Sequence, residues 1–209
     1  MGGHMARTCR VLAIAGVLTF ALASLALSSA HAGPRDHEEG FFLRLSAGAG
    51  GGGTKLDASD ALVDLSGGTG NVNLAIGGVI TSNLALHATI FGWTMENPDA
   101  TLEGITGTFP GDISLYALGI GLTYYVMPHN IYLSGSLGGG TIEVESFGLR
   151  GETESGLALD MTLGKEWWVS DRWGLGVAGG IGYHSISQED ADENWSGVDV
   201  AIRFTSTFN

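Results

Sequence analysis

The chain has 209 residues, 22 of them acidic and 9 basic, for a net charge of −13. That balance excludes the basic surface that nucleic-acid binding requires, and a hydrophobic content of 44% excludes a disordered chain. Charged residues make up only 15%, below the roughly 25–35% of a soluble surface, and the 35 glycines follow no three-residue period, so collagen is out.

Arg7 and Arg10 precede the apolar run VLAIAGVLTFALASLAL, and SSAHAG follows with Ala30 and Ala32 at the −3 and −1 places. This predicts a secretory signal peptide over residues 1–32, with residues 1–4 an upstream start or tag ahead of Met5. Cleavage removes Cys9, the only cysteine, so neither disulfides nor a cysteine metal site are expected. It also removes two of the nine basic residues, leaving 7 against 22 acids, a net charge of −15. No later run of about 18 apolar residues occurs, so no helix is expected to cross a membrane.

Eight stretches of roughly ten residues follow, the length a tilted strand needs to cross a bilayer. They are 41–51, 70–80, 83–93, 113–125, 131–143, 156–168, 173–185 and 196–208. In 70–80, Val72, Leu74 and Ile76 oppose Asn71, Asn73, Ala75 and Gly77. In 156–168, Leu157, Leu159, Met161 and Leu163 oppose Ala158, Asp160, Thr162, Gly164 and Glu166. The run WGLGVAGGIGYH (173–184) places Trp, Leu, Val, Ile and Tyr on one parity and little but Gly and Ala on the other. In 196–208, Val198, Val200, Ile202 and Phe204 oppose Gly197, Asp199, Ala201, Arg203 and Thr205. A period of two with one apolar, uncharged parity describes strands with hydrocarbon outside and a polar lumen inside. A soluble lipocalin-like barrel would instead expose the second parity, which here is nearly bare glycine.

The connections alternate in length. ITSN (80–83), MPHN (127–130) and SDR (170–172) are short; about 53–69, 94–112, 144–155 and 186–195 are long and hold 14 acids against Lys55 and Arg150. Short turns on one rim and long loops on the other are a barrel signature. Aromatics mark both rims and predict a girdle of Phe41, Tyr124, Tyr132, Trp167, Trp173, Tyr183, Trp195 and Phe208. The expected fold is therefore all-β, an eight-stranded antiparallel transmembrane up-and-down β-barrel over 41–209, with 33–40 a short periplasmic N-terminal segment.

With these strands in view, residues 41–209 resemble the small eight-stranded outer-membrane proteins of Gram-negative bacteria, of the OmpA-barrel, OmpX and OmpW kind. GKEWWVSDRWGLGV (164–177) looks like the penultimate hairpin of a broad family of bacterial barrels. VDVAIRFTSTFN is similar to the C-terminal signal read by the barrel-assembly machinery, with the departure that Asn209 follows Phe208. The resemblance implies export by the general secretory route, residence in the outer membrane, and contact with outer-membrane lipid and lipopolysaccharide. It implies a structural or surface-interaction role displaying acidic extracellular loops. The alternative is a narrow channel or OmpW-like transporter for small solutes or apolar molecules. Glycine-lined strands 113–125, 131–143 and 173–185 would leave it room, unless His87, Phe91 and Trp93 fill the lumen.

Little else carries chemistry. GAGGGG (48–53) fits a dinucleotide glycine pattern but lacks the βαβ setting, and no cofactor is expected. In EDADEN (189–194), Glu189, Asp190, Asp192 and Glu193 form an acidic rim suited to weak divalent-cation binding. A specific calcium loop is not expected, because Trp195 stands where the sharp-turn glycine belongs and Ala201 where the closing Glu belongs. Arg44, Asp160, Glu166, Asp199 and Arg203 are expected to form one ion-pair network across the lower lumen, since buried charges persist only when paired. The remote alternative is a lipid A-modifying enzyme, since some outer-membrane barrels are lipid A deacylases that use a His-x-Ser pair. Here YHSISQE puts Ile186 at the second place after His184, with Ser185 and Ser187 flanking it. No Gly-x-Ser-x-Gly, His-Glu-x-x-His or Walker loop is present, so no catalytic residue, metal site or enzyme activity is expected.

Overall fold

Successive side chains on a strand point to opposite faces, and here the two faces meet different surroundings. The computed structural model describes residues 36–58, 61–188 and 193–209; the predicted signal peptide and Glu189, Asp190 and Asp192 lie outside them. Ile202 is 76% exposed while its neighbour Arg203 is 3% exposed. That contrast repeats around the whole molecule.

Eleven strands form in chain order: β1 (Gly40–Ala58), β2 (Ala61–Thr81), β3 (Leu84–Glu96), β4 (Asp99–Leu102), β5 (Ile105–Thr108), β6 (Gly111–Val126), β7 (Ile131–Ser146), β8 (Leu149–Glu152), β9 (Gly156–Trp168), β10 (Trp173–Gln188) and β11 (Glu193–Phe208). Eight of them are staves, running β1-β2-β3-β6-β7-β9-β10-β11 with every neighbour antiparallel. β1 closes the ring by pairing β11 from Leu43 opposite Phe208 to Ala58 opposite Glu193.

The staves outrun the predicted strands at the long-loop end. Much of 53–69 is a continuous β1–β2 ladder up to Ala58 opposite Ala61. The connection 94–112 contains the β4–β5 hairpin, with β4 added to the edge of β2 from Ser66–Asp99 to Val63–Leu102. In 144–155, β8 folds back on β7. The reason is local: above the bilayer the outer face meets water instead of hydrocarbon, so apolar side chains such as Leu56, Val63 and Leu65 turn inward and the pattern reverses while the backbone still needs its ladder. The three short turns form at the opposite rim as expected.

Leu45, Ile76, Ile90, Ile120, Leu137, Leu163, Ile181 and Ile202, one from each stave, are all exposed and point outward. A monomer in water rarely exposes an apolar patch above a few hundred Å², and this one encircles the molecule. Hydrocarbon is the matching solvent, and a closed barrel is the sheet form that leaves no backbone edge within it. The chain folds as a transmembrane β-barrel of the outer-membrane type.

Phe41, Tyr124, Trp167 and Tyr183 are exposed at the two edges of this belt, with Trp173 packed edge-on against Phe208 at 5.3 Å between ring centroids. Tyr132 and Trp195 depart from the predicted girdle: both rings turn inward and are buried. Their parity explains this, since Tyr132 aligns with Ser134 and Ser136, and Trp195 with Gly197 and Asp199.

Candidate functional site

The interior is the place to look for a passage or a ligand, and it is built in three layers. At the short-turn end the segment before β1 crosses the opening. His37 is buried there, stacked on Tyr125 at 3.7 Å between centroids and beside Trp168 at 4.8 Å. Its backbone N–H donates to Asn83 Oδ1 (2.8 Å), its carbonyl accepts from the Asn83 N–H (3.0 Å), and its Nε2 pairs with Asn130 Oδ1 (3.0 Å). Asn83 and Asn130 hold left-handed backbone (φ 68° and 51°), a conformation asparagine tolerates better than most residues. Asn209 completes the clasp, its Nδ2 donating to the carbonyls of Glu38 and Phe41 and its N–H to the carbonyl of Arg172.

Burial pushes the His37 imidazole below its ordinary pKa. The clasped form therefore binds fewer protons than the released or unfolded one, and its stability falls as pH drops below about 6.5. Trp fluorescence, which reads the His37–Trp168 contact, is expected to change on acidification through that range in the native protein. The Phe variant at position 37 should lose the transition.

The middle layer is polar and crowded. Arg203 donates twice to Asp160, Nη1 to Oδ1 (2.9 Å) and Nη2 to Oδ2 (2.6 Å), and Nη1 also reaches Thr162 (3.1 Å). Asn73 and Thr162 donate to the same carboxylate. The other charges make no direct contact with this pair, although Asp199 interacts with it through space. Asp199 accepts from Asn71 (2.8 Å). Glu166 accepts from the hydroxyls of Thr207 (2.7 Å), Thr205 (3.0 Å) and Tyr125 (3.4 Å). Arg44 donates to Ser134 (2.7 Å) and lies 4.6 Å from the centre of the Tyr132 ring. Of the five predicted residues, Arg203 and Asp160 form the bidentate ion pair, while Asp199 interacts with Arg203 and Glu166 with Arg44 through space, their hydrogen bonds going to neutral groups. Hydroxyls and carboxamides from facing strands do the work that sequence reasoning assigned to opposite charges. The signal was available in Asn71, Asn73, Thr205 and Thr207, all on the inward parity.

The room provided by inward glycines is already taken. A Cβ built on Gly180 would come within 2.7 Å of the Arg203 guanidinium carbon, and one on Gly164 within 2.5 Å of the Tyr132 ring. Glu166 lies over Gly176, His87 over Gly121 and His184 over Gly197 in the same way. Each glycine is a seat for a large side chain from a neighbouring stave. His87, Phe91 and Trp93 are all buried in the interior.

The upper layer is an apolar cap of Leu65, Trp93, Met95, Ile113, Leu115, Ile142, Ile186 and Trp195. Beneath it His184 Nε2 pairs with Thr54 Oγ1 (2.9 Å), while Ser187 points outward and bonds Asn194. Neighbouring residues on a strand cannot share a face, so Ser185 and Ser187 do not meet His184. Among the described residues, no three His, Asp or Glu side chains converge as metal ligands. Of the predicted cation-binding rim only Glu193 is described, at the upper end of β11 opposite Ala58 and Gln188. On the outer wall a shallow groove of about 780 Å³ runs over Ala49, Gly51, Gly179 and Ile181; the paired staves beneath it leave no lateral gap.

No family model matches this chain, and no curated protein does. Among solved structures it is similar to Neisserial surface protein A, with 15% identity over 81% of this chain and 97% of that one and a TM-score of 0.49. OprG from Pseudomonas aeruginosa is 13% identical over 82% and 98%, with a TM-score of 0.45. Ail, the attachment invasion locus protein of Yersinia pestis, is 13% identical over 81% and 99%, with a TM-score of 0.40.

Proposed function

We propose that this protein is a non-conducting surface barrel of a Gram-negative outer membrane, whose role is to display rigid acidic hairpins to the outside. One observation carries the reading: the lumen is filled from end to end. The His37 clasp lies below, the Arg203–Asp160 layer between, and the Trp93–Trp195 cap above. Eight strands enclose little more than side-chain volume, and here the glycine seats are occupied. In this reading the short turns are periplasmic, and the chain reaches the membrane by the general secretory route and the barrel-assembly machinery. Its belt contacts lipid and the base of lipopolysaccharide, with divalent cations bridging the acidic hairpins to neighbouring phosphates.

Single-channel recording of the refolded protein in planar bilayers tests this. A silent bilayer is expected at neutral pH; stepwise conductance would replace the display role with a pore. The Ala variant at Arg203, which opens the space over Gly180, should remain silent too, because the cap and the clasp are independent of it.

A further inference from the structure

The upper hairpins carry side chains that the barrel itself does not use. β4–β5 turns through Glu103 and Gly104 (φ 50° and 81°), and β7–β8 through Phe147 and Gly148 (φ 51° and 80°). Two positive φ values make a hairpin turn that favours Asn or Asp before Gly, and a phenyl group in the first position is sterically poor. Phe147 nevertheless occupies it, 87% exposed, with Leu149 at 78%. On the other hairpin the cross-strand pair Leu102 and Ile105 flanks Glu103, and Ile105 is 77% exposed. None of the four belongs to the apolar cap.

Lipid does not account for them. A tilted strand crosses the hydrocarbon in roughly ten residues, and β7 runs 16 residues before Phe147. The surroundings are acidic: Glu96, Asp99 and Asp112 flank the first hairpin, and no basic residue occurs between His87 and His129. On the second, Arg150 is engaged by Glu143 (2.9 Å) and Glu145 (3.8 Å). A second copy of this chain would bring carboxylates against carboxylates, and a lipid headgroup phosphate would meet the same repulsion wherever no divalent cation bridges it. A ligand with apolar and positive groups on one face matches both features.

We propose that the tips of β4–β5 and β7–β8, whose bases meet where the Ser146 hydroxyl donates to the Pro110 carbonyl (2.7 Å), dock a cationic amphipathic polypeptide segment. Its apolar side chains cover Phe147, Leu149, Leu102 and Ile105, and its Lys or Arg side chains meet the flanking carboxylates. This rests on the surface-display reading.

The test uses the refolded protein in phosphatidylcholine nanodiscs and a labelled synthetic amphipathic helix of leucine and lysine. Empty discs and a leucine–glutamate helix serve as controls. Saturable binding above empty discs is expected for the lysine peptide alone. It should weaken when salt is raised to about 1 M, where the screening length falls to ~3 Å. Combining F147N, L149T and I105T should weaken it by about tenfold or more, since a few exposed apolar anchors dominate such contacts. F147N puts asparagine in a turn that favours it, so the variant is expected to fold at least as well, checked by the mobility of the unheated protein on a gel. D99N with E103Q should weaken binding and remove part of its salt dependence. Equal binding by the triple variant, equal binding of the glutamate peptide, or no binding beyond empty discs overturns the proposal. Self-association of the discs without peptide does so in favour of a second copy. If the peptide fails while bilayers stay silent, only the partner is wrong; conductance steps would instead remove the display reading.

Discussion

Replacing Asp160 with Ala is expected to cost about 3–5 kcal/mol of barrel stability, the range for removing one partner of a buried ion pair. The Arg203 guanidinium is held by two charge-assisted bonds to Asp160 and one to Thr162, with both charged side chains almost wholly enclosed. Without the carboxylate it keeps one hydrogen-bond partner, Thr162, with the Asp199 charge near but not in contact, and it has no water-exposed escape because it already fills the space over Gly180. The informative companion is the double variant with Leu at 160 and Met at 203. It removes both charges and keeps their volume, and such replacements are often neutral or stabilising. Urea unfolding in detergent micelles, followed by Trp fluorescence, reads both. An Asp160→Ala barrel as stable as the parent would mean that the pair contributes nothing. A double variant as weak as the single one would mean that shape, rather than charge, is what the site requires.

The second large effect is expected at the Tyr132–Gly164 contact. Tyr132 is fully buried, lies over Gly164 on the adjacent stave, and presents its face to Arg44. Tyr132→Ala should cost about 3 kcal/mol or more, as for other large-to-small changes of aromatic residues. Gly164→Leu should cost about 1–3 kcal/mol by overfilling the same space. Because one ring and one vacancy account for both losses, the double variant should be more stable than the sum of the two predicts. The coupling falls in the range of about 0.5–3 kcal/mol found for residues in contact. Simple additivity would show that the two residues do not share a site. The same unfolding assay decides it.

The wall of the barrel was legible in the sequence and its filling was not. Val198, Val200, Ile202 and Phe204 announce a lipid face because hydrocarbon accepts any apolar side chain, so the pattern is regular. The upper strand ends were hidden because the alternation reverses there: Leu56, Val63 and Leu65 turn into the apolar cap, while Lys55 and Asp57 face water on the outside. Inside, the obstacle was pairing across strands. Arg203 and Asp160 are 43 positions apart, and only the stave order brings them together. Tyr132 and Trp195 were assigned by residue type, although parity placed them with Ser134 and Gly197. His37 could not be found from alternation at all, since it precedes the first strand and is held by turn asparagines from elsewhere in the chain.

The glycine seats also bear on how the barrel acquires its alignment. A one-residue slip between neighbouring staves would turn greasy side chains inward and is forbidden at once. A two-residue slip keeps every face correct, and the outer belt of interchangeable aliphatics would not oppose it. It would, however, set Tyr132 opposite Thr162 or Glu166 instead of Gly164, forcing two bulky groups into one position. The interior thus proofreads threading errors that the lipid-facing surface cannot detect.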